Sequence, residues 1–284
     1  MSPTHWLHSL TEVRVETVSI QTDTTPLDGL LYLPDGEVRG AVQLLHGNTM
    51  NFYVGPPGFL PPYLTSVGFA CLAYNRRGHD VLSNRDSRDL EGGAYQTIAE
   101  AIEDNRLARH WMDERGLPVP FVVGHSNGGT LAVRHVRDFT DTPGLVLLST
   151  HRGGKRILRV MADNGLMAAG SYDEITSKAR RLVAAGLGHQ LMLVPGWWYV
   201  ISAATYVEFL DHCPDIVELA ADLPCETLFV RSREEPADLY PAEELAVRSP
   251  FPVSIEILDV GGHYYVGHER EVAETVREWL TAIW

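Results

Sequence analysis

A serine between two glycines stands where a predicted strand passes into a predicted helix. The segment Gly124-His125-Ser126-Asn127-Gly128 follows an apolar run at residues 121–123 and leads into helical spacing over residues 128–137. Such a tight turn needs glycine on both sides, because a Cβ there would collide with the strand or the helix. The start of the helix also offers free N–H groups and a positive dipole beside the serine oxygen. The pattern predicts that Ser126 is a nucleophile.

A serine hydroxyl reacts only when a base takes its proton, and His263 is the best placed of the 12 histidines. It follows Gly261-Gly262 after the last predicted strand, residues 255–258, where a loop reaches the carboxyl edge of a parallel sheet. His268 is predicted to cap or pack at the start of the final helix. His125 is predicted to turn away from the serine. The sequence therefore favours His263 as the general base.

A carboxylate must fix the tautomer of this histidine and stabilise its charged form. Three acids, Glu234, Glu235 and Asp238, crowd the loop after the predicted strand at residues 227–230. Each can lie near the carboxyl end of that strand. Residue types and spacing therefore leave the choice among the three open.

Backbone N–H groups that could stabilise an oxyanion follow another predicted strand. His46-Gly47-Asn48 comes just after the apolar run at residues 41–45. The glycine lets backbone approach a substrate, so the N–H groups of Asn48 and Asn127 are predicted to form an oxyanion hole. The polar segment at residues 75–80 is interpreted as structural, with buried arginine and aspartate tying loops together near the site.

The elements that must position these residues alternate along the chain. Eight runs predict strands, at residues 13–22, 27–33, 41–45, 69–74, 121–123, 145–148, 227–230 and 255–258. Helical spacing between or after them predicts helices at residues 59–66, 94–114, 128–137 and 271–283. Strands that alternate with helices favour right-handed crossovers and a mainly parallel sheet, so the predicted fold class is α/β.

The alternation stops over residues 151–223, an interval too long for a loop between neighbouring strands. Helices are predicted there at residues 157–167, 173–185 and 204–219. We expect a helical cap over one end of the sheet, so that residues 1–150 and 224–284 form the core domain and residues 151–223 form the cap. The aromatic cluster Trp197, Trp198 and Tyr199 is predicted to contact the substrate from this cap.

Composition narrows the classes of function. The chain has 284 residues, 45% of them apolar, and a formal net charge of −14, which disfavours nucleic acid as a partner. No apolar run approaches the roughly 20 residues that span a membrane, and the N-terminus does not read as a secretory signal. The three cysteines have no zinc-site spacing. We expect a cytoplasmic protein without metal or cofactor that acts on a small molecule, and the sequence leaves open a homodimer.

Together these segments resemble the α/β-hydrolase superfamily over nearly the whole chain. The matching pieces are His46-Gly47-Asn48, Arg77-Gly78-His79-Asp80, the Ser126 turn, the acid loop and Gly262-His263. Their order, serine then acid then histidine, is the order of that superfamily. The resemblance implies an eight-stranded, mostly parallel sheet flanked by helices, with a helical cap after the sixth strand.

The resemblance also implies roles for individual residues. Ser126 is the nucleophile, His263 the base, and the N–H groups of Asn48 and Asn127 the oxyanion hole. Members usually have Gly-x-x-Asp-Pro in the acid loop, where this chain has Ser232-Arg233-Glu234-Glu235-Pro236. Alignment on the proline makes Glu235 the acid, with Asp238 as the runner-up.

The expected function is hydrolysis of a carboxylic ester-like bond in a small, fairly apolar substrate through an acyl-enzyme. The same residues could instead hydrolyse a C–C bond, open a lactone or transfer an acyl group to an acceptor other than water. A ligand receptor without catalysis is the alternative outside enzymes, and an intact set of nucleophile, base and acid argues against it.

Overall fold

Ten strands are found in the computed structural model, which describes residues 13–83, 89–197, 199–259 and 261–284. In chain order they are β1 (Arg14–Ile20), β2 (Leu27–Leu33), β3 (Gly40–Leu45), β4 (Phe69–Tyr74), β5 (Pro120–His125), β6 (Leu145–Leu148), β7 (Leu191–Val194), β8 (Tyr199–Ser202), β9 (Thr227–Ser232) and β10 (Val253–Leu258). Eight of them form one sheet in the order β1-β2-β4-β3-β5-β6-β9-β10. β1 and β2 pair antiparallel, as do β2 and β4, and the other pairs are parallel. The predicted eight-stranded, mostly parallel sheet is confirmed.

Helices cover both faces of this sheet. In chain order the helices are α1 (Pro56–Thr65), α2 (Ile98–Glu114), α3 (Asn127–Asp138), α4 (Ile157–Asp163), α5 (Tyr172–Ala184), α6 (Ala203–His212), α7 (Ile216–Leu219), α8 (Ala242–Arg248) and α9 (Glu269–Ile283). α1 and α9 share one buried cluster with the sheet, and α2 and α3 pack in other clusters. Every residue of β3, β4, β5, β6 and β9 is buried, as expected for strands covered on both faces.

The interval at residues 151–223 contains helices α4 to α7 and one element that the sequence did not predict. β7 and β8 form an antiparallel hairpin of their own, separate from the main sheet. The helix predicted over residues 204–219 is divided into α6 and α7, because Pro214 interrupts it. α4, α5, α6 and the hairpin share a buried cluster, while α7 packs with α3 against the main sheet.

The polar segment after β4 ties loops together, in agreement with its structural interpretation. The backbone N–H and the Nε of Arg77 each donate to the Asp104 carboxylate over 2.8 Å, and Gln96 donates to it over 2.9 Å. Burial raises the pKa of Asp104 to about 6 despite these donors. The pair fixes the loop after β4 against α2.

Candidate active site

Ser126 occupies a strained turn between β5 and α3. Its φ is 55° and its ψ is −125°, a conformation that residues other than glycine rarely adopt. A Cβ on Gly124 would lie 2.5 Å from the Gly128 carbonyl oxygen, and one on Gly128 would lie 2.3 Å from the Leu45 carbonyl oxygen. The glycines therefore allow the close contacts with helix and strand that hold the serine turn in place.

Three side chains from three loops form a continuous chain of hydrogen bonds. His263 Nε2 lies 3.0 Å from Ser126 Oγ, and His263 Nδ1 lies 2.9 Å from Glu235 Oε1. With its proton on Nδ1, the imidazole donates to the carboxylate and presents the lone pair of Nε2 to the serine hydroxyl. This is the arrangement in which a histidine can take the serine proton.

The structure places Glu235 beside His263 and keeps the other two acids away. Glu235 is only 7% exposed, and its Oε2 accepts hydrogen bonds from Ser149 Oγ over 2.8 Å and from the Ser232 N–H over 2.9 Å. Glu234 is exposed, and Asp238 is exposed and accepts a hydrogen bond from the side chain of Asn164. Of the three candidate acids, Glu235 alone is placed where two buried groups donate hydrogen bonds to its carboxylate.

Two residues that the sequence analysis missed support this carboxylate. Ser149 follows β6 directly, at the same carboxyl edge as the serine turn, and its Oγ lies 2.7 Å from the Tyr265 hydroxyl. Tyr265 is buried and its hydroxyl also lies 3.1 Å from the Val230 carbonyl oxygen. Burial raises the pKa of Tyr265 well above its usual value, so the phenol keeps its proton. The position of Ser149 just past a buried strand is the signal that could have revealed it.

His125 contacts the loop that carries His263, which the sequence did not predict. The Nε2 of His125 lies 2.8 Å from the His263 carbonyl oxygen. Burial, together with the nearby His263, lowers the pKa of His125 to about 3. A neutral ring must therefore donate from Nε2 to that carbonyl, and this hydrogen bond fixes the backbone of His263.

Replacing His125 should show whether this bond positions His263. We expect His125→Leu to lower kcat about 10- to 100-fold, because small displacements of a reacting group cost rate on this scale. His125→Gln should recover most of the loss, since its amide nitrogen can donate to the same carbonyl. Steady-state kinetics and thermal unfolding of both variants would test this.

His135 provides the matched control, because it is also buried, has its pKa lowered to about 3, and lies in α3 without contact to His263. His135→Leu should leave kcat near the wild-type value. Equal losses in kcat for the leucine variants at positions 125 and 135 would contradict the positioning role.

The loop after β3 lies against Ser126. A Cβ on Gly47 would lie 3.2 Å from the Cβ of Ser126. The N–H of Asn127 is the first of α3 and has no acceptor within the helix, and the described part of the chain offers none to the N–H of Asn48. Arg76 fixes this loop, because its Nη2 donates to the His46 carbonyl oxygen over 2.7 Å. The N–H of Asn127 is thus next to Ser126 in the chain, and the loop that carries Asn48 lies close to the serine.

The aromatic cluster of residues 197–199 borders the site in part. The ring of Trp197 is 44% exposed, and its centroid lies 6.4 Å from that of His263. Tyr199 is half-buried at the start of β8, and Trp198 lies outside the described residues. Among the residues that are described, no cluster of His, Cys, Asp and Glu could hold a metal, and no helix is long and apolar enough to cross a membrane.

Solved structures share this fold at low sequence identity. Est1E from Butyrivibrio proteoclasticus with ferulic acid bound has a TM-score of 0.70 and 16% identity, over 93% of this chain and 98% of that one. A thermostable carboxyl esterase from Bacillus coagulans has a TM-score of 0.70 and 15% identity, over 96% of this chain and 99% of that one. A dienelactone hydrolase from Anabaena variabilis has a TM-score of 0.60 and 15% identity, over 96% of this chain and 99% of that one.

No curated protein matches the sequence. A family does match, and it is described as the alpha/beta hydrolase family, with residues 44–277 aligned. This range runs from the end of β3 into α9 and includes Ser126, Glu235 and His263. The chain belongs to the alpha/beta hydrolase family.

Proposed function

We propose that the protein is a serine hydrolase that cleaves a carboxylic ester-like bond in a small, fairly apolar substrate. Ser126 is the nucleophile, His263 the general base and Glu235 the acid of this proposal. The observation that supports it best is the hydrogen-bonded chain from Ser126 Oγ through both nitrogens of His263 to the buried carboxylate of Glu235. One structural neighbour is described as a carboxyl esterase and another has ferulic acid, a carboxylic acid, bound, which agrees with this chemistry.

The reaction proceeds in two halves. Ser126 Oγ attacks the carbonyl carbon while His263 Nε2 takes its proton, and the N–H groups of Asn48 and Asn127 stabilise the oxyanion. The bond to the alcohol oxygen then breaks, and this oxygen receives the proton from His263. A water molecule, deprotonated by the same nitrogen, then attacks the acyl carbon. The bond from this carbon to Ser126 Oγ breaks, Oγ receives the proton from His263, and the acid leaves. No metal or organic cofactor takes part in any of these steps.

The interval at residues 151–223 acts as the cap in this proposal. α4, α5, α6 and the β7–β8 hairpin build its separate apolar cluster, into which Leu239 and Tyr240 from the core also pack. The Tyr240 hydroxyl lies 3.4 Å from His263 Nδ1, so this cluster reaches the site itself. Trp197 supplies apolar surface next to the imidazole. Such walls exclude water and favour an apolar substrate over a charged one.

Covalent labelling separates an enzyme from a ligand receptor on the same fold. A fluorophosphonate should label the protein once, at Ser126, and the protein should also release p-nitrophenol from p-nitrophenyl acetate over many turnovers. Peptide mapping of the labelled protein and steady-state turnover measure the two results. Labelling without turnover would contradict the proposal and favour a receptor.

A further inference from the structure

A cavity of about 750 Å³ opens beside the Ser126–His263 pair and outside the interval at residues 151–223. One wall is the loop after β3 together with α1, and the other is the segment from Tyr264 to the first turn of α9. Its lining is largely apolar and includes Met50, Tyr53, Val54, Phe59, Tyr264 and Val266. The volume lies within the range of roughly 300–1,000 Å³ that small-molecule sites occupy.

Two residues that line this cavity lie next to the reacting groups. Met50 lines the cavity, and its Sδ lies 2.6 Å from a Cβ built on Gly47, which itself would lie 3.2 Å from the Cβ of Ser126. Tyr264 lines the other wall, and its ring meets that of His263 edge-to-face with centroids 5.1 Å apart. One side chain therefore separates the cavity from the serine, and one separates it from the histidine.

Several exposed apolar side chains line this cavity. Tyr53, Val54, Tyr264 and Val266 line the opening and are 63%, 40%, 50% and 75% exposed. Apolar side chains gathered around one concave opening indicate a surface that covers an apolar ligand. Two charged residues, Glu269 and Arg270, also line the cavity, and Arg270 forms an ion pair with Glu274 over 2.8 Å. The cavity therefore fits an uncharged chain or ring better than a charged group.

We propose that this cavity binds the alcohol part of the ester and selects substrates whose alcohol is an extended alkyl or aromatic group. The inference rests on the proposed function and adds the substrate class. His263 Nε2 protonates the alcohol oxygen, so this oxygen must lie on the side of the tetrahedral carbon that faces the imidazole. The ring of Tyr264 packs edge-to-face against this imidazole and also lines the cavity. A group attached to the leaving oxygen passes Tyr264 into the cavity, while the acyl group extends from the carbon in another direction.

Three aliphatic esters test which side of the substrate the cavity holds. Octyl acetate and ethyl octanoate are isomers that carry the long chain on the alcohol and on the acyl side, and ethyl acetate lacks it. Aliphatic alcohols are similar leaving groups, so differences in kcat/KM report on binding. We expect kcat/KM for octyl acetate to exceed that for each of the other two by at least about tenfold.

Two tryptophan substitutions narrow the cavity from opposite walls. Val266→Trp and Val54→Trp should each lower kcat/KM for octyl acetate by about tenfold more than for ethyl acetate, chiefly through KM, because the lost contact is made by a remote part of the substrate. Val247→Trp is the matched control, since this valine is 87% exposed on α8 and does not line the cavity. It should leave the ratio between the two esters unchanged.

Other results would overturn the proposal. A preference for ethyl octanoate that both cavity variants remove would assign the cavity to the acyl chain. Equal losses for all three esters would show that the substitutions act on the structure and not on a binding site. If the wild-type protein hydrolyses none of these esters nor p-nitrophenyl acetate, the proposed function itself fails, which is a distinct outcome.

Discussion

Ser126→Ala is expected to abolish ester hydrolysis and to leave the fold intact. Loss of the nucleophile from a serine–histidine–acid set lowers kcat by about 10⁶, which leaves only the background that binding and oxyanion contacts provide. The substitution removes one half-buried oxygen and creates no cavity, so the thermal midpoint should stay near that of the wild type. It should also relieve no strain, because alanine meets the same positive φ of 55°. Steady-state kinetics and fluorophosphonate labelling measure the loss of the nucleophile, and thermal unfolding measures the stability of the fold.

A serine elsewhere on the sheet shows whether the loss is specific. Ser254 is exposed on β10, and Ser254→Ala should retain wild-type kcat and full labelling. If Ser126→Ala retained more than about one per cent of wild-type kcat, this residual activity would be far above the expected level and would exclude Ser126 as the nucleophile.

The sheet was predictable largely because five of its eight strands are buried on both faces. β2, β4 and β6 have the predicted bounds, since turn residues or polar segments frame each apolar run. α2 begins four residues later than predicted, because Thr97 and Glu100 form a capping box at that point, in which each side chain accepts from the backbone N–H of the other residue. The β7–β8 hairpin was not predicted. Its strands have only four residues, and the exposed positions of β7, Leu191 and Leu193, are as apolar as the buried ones, so the sequence shows no alternation there.

Those residues of the candidate site whose position depends on neighbouring residues in the chain were predictable. Ser126 is defined by its two glycines, and His263 by its place after the last strand, so both follow from chain order. The acid depends instead on the donors that meet its carboxylate. The Ser232 N–H and the Ser149 hydroxyl come together only when β6 and β9 pair. The role of His125 as an anchor likewise needs the contact between β5 and the His263 loop.

Glu235→Gln should lower kcat by about 10³ to 10⁴, because it forces the wrong tautomer on His263. The Ser232 N–H donates to Glu235 Oε2 and cannot reverse its role, so the amide oxygen of glutamine must take that place. The amide NH₂ then faces His263 Nδ1, which can only accept from it. The proton of the imidazole moves to Nε2, where it faces Ser126 Oγ and blocks proton abstraction. Glutamine has nearly the shape of glutamate, so the loss is expected in kcat with little change in stability.

Two neighbouring acids serve as matched controls for this variant. Glu234→Gln makes the same substitution one residue earlier on an exposed side chain, and Asp238→Asn tests the other candidate acid. Both should retain kcat near that of the wild type, and Asp238→Asn should lose at most the contact with Asn164. Imidazole ¹⁵N chemical shifts should place the His263 proton on Nδ1 in the wild type and on Nε2 in Glu235→Gln. A fully active Glu235→Gln, or a large loss in Asp238→Asn, would assign the acid elsewhere and leave the Ser126–His263 pair unaffected.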